Sequence, residues 1–335
     1  MAPPSNGRCF PMTSVTMGIV ARDTTAPALL DAIEQLDRRG VPAVWLTTVG
    51  AGVDGPSVLA AAATRTERIA LGSSVTPTWP RHPIVLAQQA QVIAQLAPGR
   101  LRLGIGTSSR DSIEGMFGVP FHAPLANLKE YVRVLKDLLQ RGKVDLDGAH
   151  YHAHATISAT YPDVPVLAAT LIAKSYEAAG EAADGAISWV TPLEYIQRRG
   201  LPALRAGAAR ANRPAPALYA HVPVCLSTSA ADVRAAVSER LGFYPQLKVW
   251  RDMFVDAGFA DAAEGKWSDA LTDGTVAHGD EARVAKRLQA FIDAGAREIL
   301  VEVVAAGPDK DKSYDRATAF VADVAKTALA GGRLG

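Results

Sequence analysis

The feature that most constrains this chain is a regular alternation: eight short apolar runs, each followed by a segment with helical spacing. The runs cover 15–20, 43–46, 69–75, 101–105, 165–169, 186–190, 218–226 and 298–304. Strands this apolar need cover on both faces, and parallel strands joined by helices supply it. Eight such units in one chain favour an α/β fold of the (β/α)8 TIM barrel type over an open doubly wound sheet. The helical segments carry their own punctuation. Leu29, Leu30, Ile33 and Leu36 recur at helical spacing before Gly40, and Pro83 opens a helix that places Val85, Leu86, Gln89, Val92, Ile93 and Leu96 on one face. The longest connections, 108–127, 143–160 and 242–279, are read as insertions after strands 3–4 and 7. No Pro/Ser/Gly-rich linker divides the chain, so 14–332 is expected to be a single barrel domain behind a disordered leader, 1–13.

Composition narrows the function classes. Lys and Arg number 35 against 34 Asp and Glu, a net charge of +1. That balance gives no basic face for nucleic acid and no polybasic membrane anchor. No apolar run reaches the length of a membrane span, and 1–12 lacks the apolar core of a signal peptide. Cys9 and Cys225 are the two cysteines, with no Cys-x-x-Cys, which excludes a thioredoxin-like centre and a cysteine zinc knuckle. The expectation is a cytoplasmic enzyme acting on a small molecule.

In a (β/α)8 barrel the chemistry gathers at the C-terminal ends of the strands. The residues there are 47–50, 73–82, 106–111, 170–174, 188–191 and 305–307. Gly72-Ser73-Ser74-Val75-Thr76-Pro77 offers small hydroxyls that suit the polar edge of a ring, or a plain turn before proline. Gly104-Ile-Gly106-Thr107-Ser108-Ser109 allows close approach of backbone N–H groups to a ligand, or makes an ordinary tight turn. Its third fingerprint position is Ser, and a long loop follows it, so it is not a Rossmann motif. Trp79-Pro-Arg81-His82-Pro83 offers His82 as an acid or as a neighbour of a helix N-cap. His150, His152 and His154 would share one face if they lay on a strand, as metal ligands do, but no fourth ligand follows at a useful spacing. A solvated hairpin is the reading preferred, with no metal site. There is no Gly-x-Ser-x-Gly elbow and no Walker A loop.

Three of these stretches resemble the bacterial luciferase-like superfamily, and within it the coenzyme F420-dependent oxidoreductases. They are Ile69-Ala-Leu-Gly-Ser-Ser-Val-Thr-Pro77, Arg81-His-Pro-Ile-Val-Leu-Ala-Gln-Gln89 and Leu96-Ala-Pro-Gly-Arg-Leu-Arg-Leu-Gly-Ile-Gly-Thr107. Gly40-Val-Pro-Ala-Val-Trp45, Phe117-Gly-Val-Pro-Phe121 and the stretch from Gly180 to Ile187 add to them. So do Gly279-Asp-Glu-Ala282 and Asp293-Ala-Gly-Ala296, and the likeness runs over roughly 15–330. It implies a barrel whose mouth holds a tricyclic ring, commonly in a homodimer. It implies a non-proline cis peptide after strand three, which falls on Ser74–Val75. It sets Trp45, Ser73, Ser74, Val75 and Thr76 near the ring and Gly106, Thr107 and Ser108 near the cofactor side chain. The loop Thr170, Leu171, Ile172, Ala173 and Lys174 falls near the phosphate, where Lys174 or Arg110 would meet an anionic tail.

Two departures stand out. Trp45 is followed by Leu46, Thr47, Thr48 and Val49, where many F420 enzymes carry an acid–His pair, and the phosphate loop keeps only its lysine. The resemblance implies hydride transfer between deazaflavin and a small organic substrate, with Thr48 and His82 as the polar groups assisting. An FMN-dependent monooxygenase of the same superfamily is the alternative, and a flavin-binding barrel without turnover is the third reading. Trp45, Trp79, Phe117 and Trp189 are the rings available to the mouth or to the core, and they suggest an apolar ligand.

Overall fold

The computed structural model describes residues 15–334; the leader expected at 1–13, with Cys9, lies outside them. Eight parallel strands, each followed by helix, run along the chain: β1 Thr16–Ala21, β2 Ala43–Leu46, β3 Ala70–Ser73, β4 Leu101–Gly106, β5 Val166–Thr170, β6 Gly185–Ser188, β7 Ala217–Cys225 and β8 Ala296–Val303. The fold class is the (β/α)8 barrel that the alternation predicts. The described chain divides into two compact units, residues 22–166 and residues 15–21 with 167–334. No helix of the described residues is long and apolar enough to cross a membrane.

In the first unit β2 pairs with β3 from Ala43 opposite Ala70 to Leu46 opposite Ser73, and β3 pairs with β4 through Leu71 and Gly72. The run 69–75 is not one strand. It breaks after Ser73, and Thr76–Pro77 resumes pairing against Ile105 and Gly106 of β4. Trp45 of β2 is fully buried, and its indole lies over Gly72, where a Cβ would stand 2.3 Å from the ring. Glycine is therefore required beside it.

The N-terminal end of β3 is pinned by two polar side chains. Asp37 is buried in the last turn of the Ala26–Arg39 helix, which Gly40 closes at φ +76°. Its carboxylate accepts from the N–H groups of Glu67 (3.0 Å), Arg68 (3.2 Å) and Ile69 (2.8 Å). Arg100 donates to the carbonyls of Ala63, Thr66 and Ile69 and to Thr66 Oγ1. The apolar positions of the Pro83–Leu96 helix split in two. Leu86, Ala90 and Ile93 are buried, whereas Val85, Val92 and Leu96 make an exposed stripe. The predicted connection 108–127 holds a helix, Arg110–Phe117, and the start of another, Pro124–Arg141. Lys143–Asp147 and His152–Thr156 form the expected antiparallel hairpin.

In the second unit β5 pairs with β6, β6 with β7, β7 with β8 and β8 with β1, all parallel. The helix that follows β6 is continuous but contains a π-helical turn, Ile196–Gly200, between Leu193–Tyr195 and Leu201–Arg210. Residues 242–279 supply the helices Lys248–Asp256 and Asp269–Thr275 and a two-residue strand, Ala277–His278, paired with the end of β7. Charge is buried here: His221 Nε2 lies 3.0 Å from Glu302 Oε2, and Arg240 Nε donates to Glu302 Oε1.

Candidate active site

At the C-terminal ends of the strands of the first unit the backbone is tied closely. The N–H of Ser74 donates to the carbonyl of Leu46 (2.7 Å), and that of Thr78 to the carbonyl of Gly106 (3.0 Å). Ser73 Oγ both donates to and accepts from the backbone of Gly104 (2.8 and 2.9 Å). The Ser74–Val75 peptide is cis, as the resemblance implies. Around it several side-chain atoms have nothing to bond. Ser74 Oγ, Thr76 Oγ1, Thr47 Oγ1 and Trp79 Nε1 are buried without a partner among the described residues. A buried polar atom left unpaired costs about 1–3 kcal/mol, a cost that a bound polar group would relieve.

The predicted assisting residues both have local structural duties. Thr48 Oγ1 accepts from the N–H of Gly55 at 3.2 Å, at the start of the Gly55–Ala63 helix. His82 caps the Pro83–Leu96 helix: its Nδ1 accepts from the N–H of Ile84 at 3.2 Å, and its ring meets Tyr151 edge-on. Beside them Asp54 caps the Gly55–Ala63 helix and pairs with Arg81. Burial pushes the Asp54 carboxyl up, but hydrogen bonds from Ser57 and Arg81 and the Arg81 charge outweigh it and hold the group below the usual carboxylate value. After β4, Ser108 adopts a left-handed φ of +60°, and Ser109 caps the helix that carries Arg110, which is paired with Glu114.

The sequence reading missed a second cluster at this rim. Glu130 accepts from three successive N–H groups, those of Ala149, His150 and Tyr151 (3.0, 2.8 and 3.1 Å). It thereby shapes the turn at the tip of the hairpin. Gly148 is needed there, since a Cβ would stand 2.3 Å from the Glu130 carboxylate. Tyr151 then donates to the carbonyl of Thr78 (3.2 Å) and accepts from Asn127 Nδ2 (2.8 Å), and burial pushes its phenol up to about 12. The turn sets the His150 ring 5.7 Å from Trp79 and stacks it on His122 at 4.9 Å; Phe121 lies 5.2 Å from Trp79. His150, His152 and His154 thus do not share a face. His150 belongs to the turn, whereas His152 and His154 stand exposed on the strand beside Asp145 and Asp147. Among the described residues no group of three or more His, Cys, Asp or Glu is arranged to hold a metal ion.

In the second unit Thr170 Oγ1 donates to the carbonyl of Ile187, and Ser175 Oγ accepts from the N–H groups of Leu171 and Ile172 (2.9 and 3.1 Å). Ala173 and Lys174 open the Ala173–Ala182 helix, and Lys174 is exposed. Tyr176 and Ser188 are fully buried, and burial raises the Tyr176 phenol. Trp189 stacks on His221 at 3.7 Å and donates to Tyr244 Oη at 2.7 Å.

Comparison with known proteins gives a consistent result. The family model for luciferase-like monooxygenases matches residues 10–298. The chain is 30% identical over 317 residues, 88% of its length and 91% of the relative's, to the F420-dependent glucose-6-phosphate dehydrogenase of Kineococcus radiotolerans. Among solved structures it resembles an F420-dependent secondary alcohol dehydrogenase in complex with an F420–acetone adduct. The TM-score is 0.75 at 16% identity, covering 91% of this chain and 98% of that one. It also resembles the FMN-bound oxygenating constituent of 3,6-diketocamphane monooxygenase from Pseudomonas putida. Here the TM-score is 0.71 at 16% identity, covering 96% of this chain and all of the other. At such identities both likenesses show the (β/α)8 fold.

Proposed function

The chain belongs to the luciferase-like monooxygenase family, and on that premise we propose that it is a coenzyme F420-dependent oxidoreductase moving a hydride between the deazaflavin and a small organic substrate. The observation that carries the proposal is the pair of buried, unpartnered hydroxyls at the end of β3, Ser74 Oγ and Thr76 Oγ1. A flat heteroaromatic edge supplies the donors and acceptors that two such hydroxyls lack. The residues therefore fit the group. Trp45, Ser73, Ser74, Val75 and Thr76 would hold its ring, and Gly106, Thr107 and Ser108 its side chain. When bound, the deazaflavin supplies a carbon that gives or takes a hydride.

Thr170, Leu171, Ile172, Ala173 and Lys174 would take the phosphate. Ser175 already occupies the amides of Leu171 and Ile172. Ser175 and Tyr176 donate their amides to the carbonyl of Ile172, so the anion is left with the amides of Ala173 and Lys174 and with the Lys174 ammonium. His82 accepts at Nδ1 from Ile84, which leaves its proton on Nε2, where it serves as a donor to a substrate oxygen. Thr48 accepts from Gly55 and keeps its own O–H to orient the substrate. The exposed stripe Val85, Val92 and Leu96 supports a homodimer, and a monomer mass by light scattering would overturn that part.

The test is a pair of fluorescence titrations of cofactor-stripped protein, one with F420 and one with FMN. Tighter binding of F420 is expected. The FMN monooxygenase reading has its own support, because Thr47 and Thr48 stand where an acid–His pair is common in F420 enzymes. Tighter FMN binding with substrate-dependent oxygen uptake would replace the first reading with the second. Once turnover is in hand, His82→Ala is expected to lower kcat; unchanged turnover at every pH removes His82 from the mechanism.

A further inference from the structure

The rings at the rim of the first unit are more than packing. Trp79 Nε1–H is a donor and cannot accept, and it is buried with no partner among the described residues. Three rings converge around this indole: Phe121, His122 and His150 lie 5.2, 5.8 and 5.7 Å from it, and His122 stacks on His150. The arrangement is built rather than fortuitous. One carboxylate, Glu130, holds three amides of the turn that carries His150, and Tyr151 bolts the same turn to Thr78, next to Trp79. Supporting bonds of this kind fix a binding group in place before the ligand arrives. The His122 ring is exposed, with Nδ1 3.3 Å from the carbonyl of Pro120 and its face stacked on His150.

The charges nearby decide what class of ligand fits. Arg81 is committed to Asp54, and Arg110, which lies over Phe121, is committed to Glu114. A phosphate or carboxylate would have to break one of these pairs. A neutral oxygen acceptor would not. A planar ring suits the aromatic faces, which prefer offset or edge contacts with another ring.

We propose that Trp79, Phe121, His122 and His150 form a subsite for a neutral, ring-bearing carbonyl compound, with the Trp79 indole N–H donating to the carbonyl oxygen. The role of that compound as substrate rests on the oxidoreductase reading above; its binding does not. The subsite separates this chain from the sugar-phosphate chemistry named for its relatives in the glucose-6-phosphate dehydrogenases.

The test is equilibrium binding to the full-length protein with no deazaflavin present, so that a failure here and a failure of F420 to bind are read separately. Acetophenone and ethylbenzene share a ring and differ in the carbonyl. Acetophenone is expected to bind about tenfold more tightly, with shifts of the His122 and His150 imidazole proton signals and none at His152 and His154. Trp79→Phe keeps a ring and removes the N–H, and it should abolish the preference while leaving ethylbenzene binding in place. His150→Gln, at the half-buried rim, provides a second variant should Trp79→Phe unfold; it is expected to weaken both ligands about threefold. Glucose 6-phosphate should not compete. Equal binding of the two probes, a preference that survives Trp79→Phe, unmoved His122 and His150 signals, or competition by glucose 6-phosphate would each overturn the proposal.

Discussion

At the N-terminal ends of the strands of the first unit, Asp37 and Arg100 between them satisfy three backbone N–H groups and three carbonyls. At the C-terminal ends of the same strands, Thr47 Oγ1, Ser74 Oγ, Thr76 Oγ1 and Trp79 Nε1 are buried and unpaired. The two ends lie on the same short strands, so composition does not explain the contrast. One end is finished as a structure. The other leaves four buried polar atoms unsatisfied. A barrel divides its labour this way, with stability invested at the bottom and loops and ligands at the top.

Substitution at each end should break the comparison in opposite directions. Asp37→Ala takes the acceptor from three amides at once, one buried and two part-buried, and at about 1 kcal/mol each the loss is about 3 kcal/mol. Urea unfolding should show this as a lower midpoint with an unchanged slope, while F420 affinity of the folded fraction stays at its original value. A loss below about 1 kcal/mol would mean that water replaces the carboxylate and that the lower end is not the stabilising one. Ser74→Ala should do the reverse. It removes a hydroxyl that has no partner, so stability should move by no more than about 0.5 kcal/mol in either direction. F420 should bind about fivefold more weakly, as one hydrogen bond to the ligand is lost. Unchanged affinity would leave the Ser74 hydroxyl as a defect in packing and take away the main support for placing the ring at β3.

The same comparison explains what the sequence made legible. The eightfold alternation was readable because buried parallel strands are apolar without interruption, and the hydroxyl-rich stretch at 73–76 was readable because polar residues are out of place at the end of such a strand. Three features were not. The break of β3 after Ser73 depends on Thr76 and Pro77 finding Ile105 and Gly106. The Pro83–Leu96 helix looked like a single apolar face, but Val85 and Val92 fall one position off the buried set, and periodicity cannot say which side of a broad apolar surface meets the core. The rim cluster joins Trp79, His122 and His150, which are far apart along the chain. The capture of the hairpin turn by Glu130 and the Tyr151–Thr78 hydrogen bond bring them together, and no local pattern encodes either.

The hairpin itself supplies the smallest effect, and it bears on the difference between His150 and the two histidines beyond it. Hydrogen bonding to Asp145, then to Asp147, raises His154 above its ordinary value of 6.5. Hydrogen bonds from His152, then His154, lower Asp147 below its ordinary 3.8. The His154 contribution is present in full below pH 6.5 and disappears as pH rises through the raised value. The Asp147 contribution is present above pH 3.8 and disappears as pH falls through the lowered one. The cross-strand pairs are therefore tightest between about pH 4 and 6.5, bounded by those two ordinary values. All the groups are exposed, so solvent and salt screen them and the global unfolding midpoint should not move measurably across this window. The local signal is the one to read. Amide exchange at 143–147 and 152–156 should be slowest inside the window, and Asp145→Asn should bring the His154 titration down toward 6.5. If exchange is flat with pH and His154 titrates at its ordinary value, the aspartates and histidines are neighbours without being partners, and the hairpin owes its pairing to its backbone ladder alone.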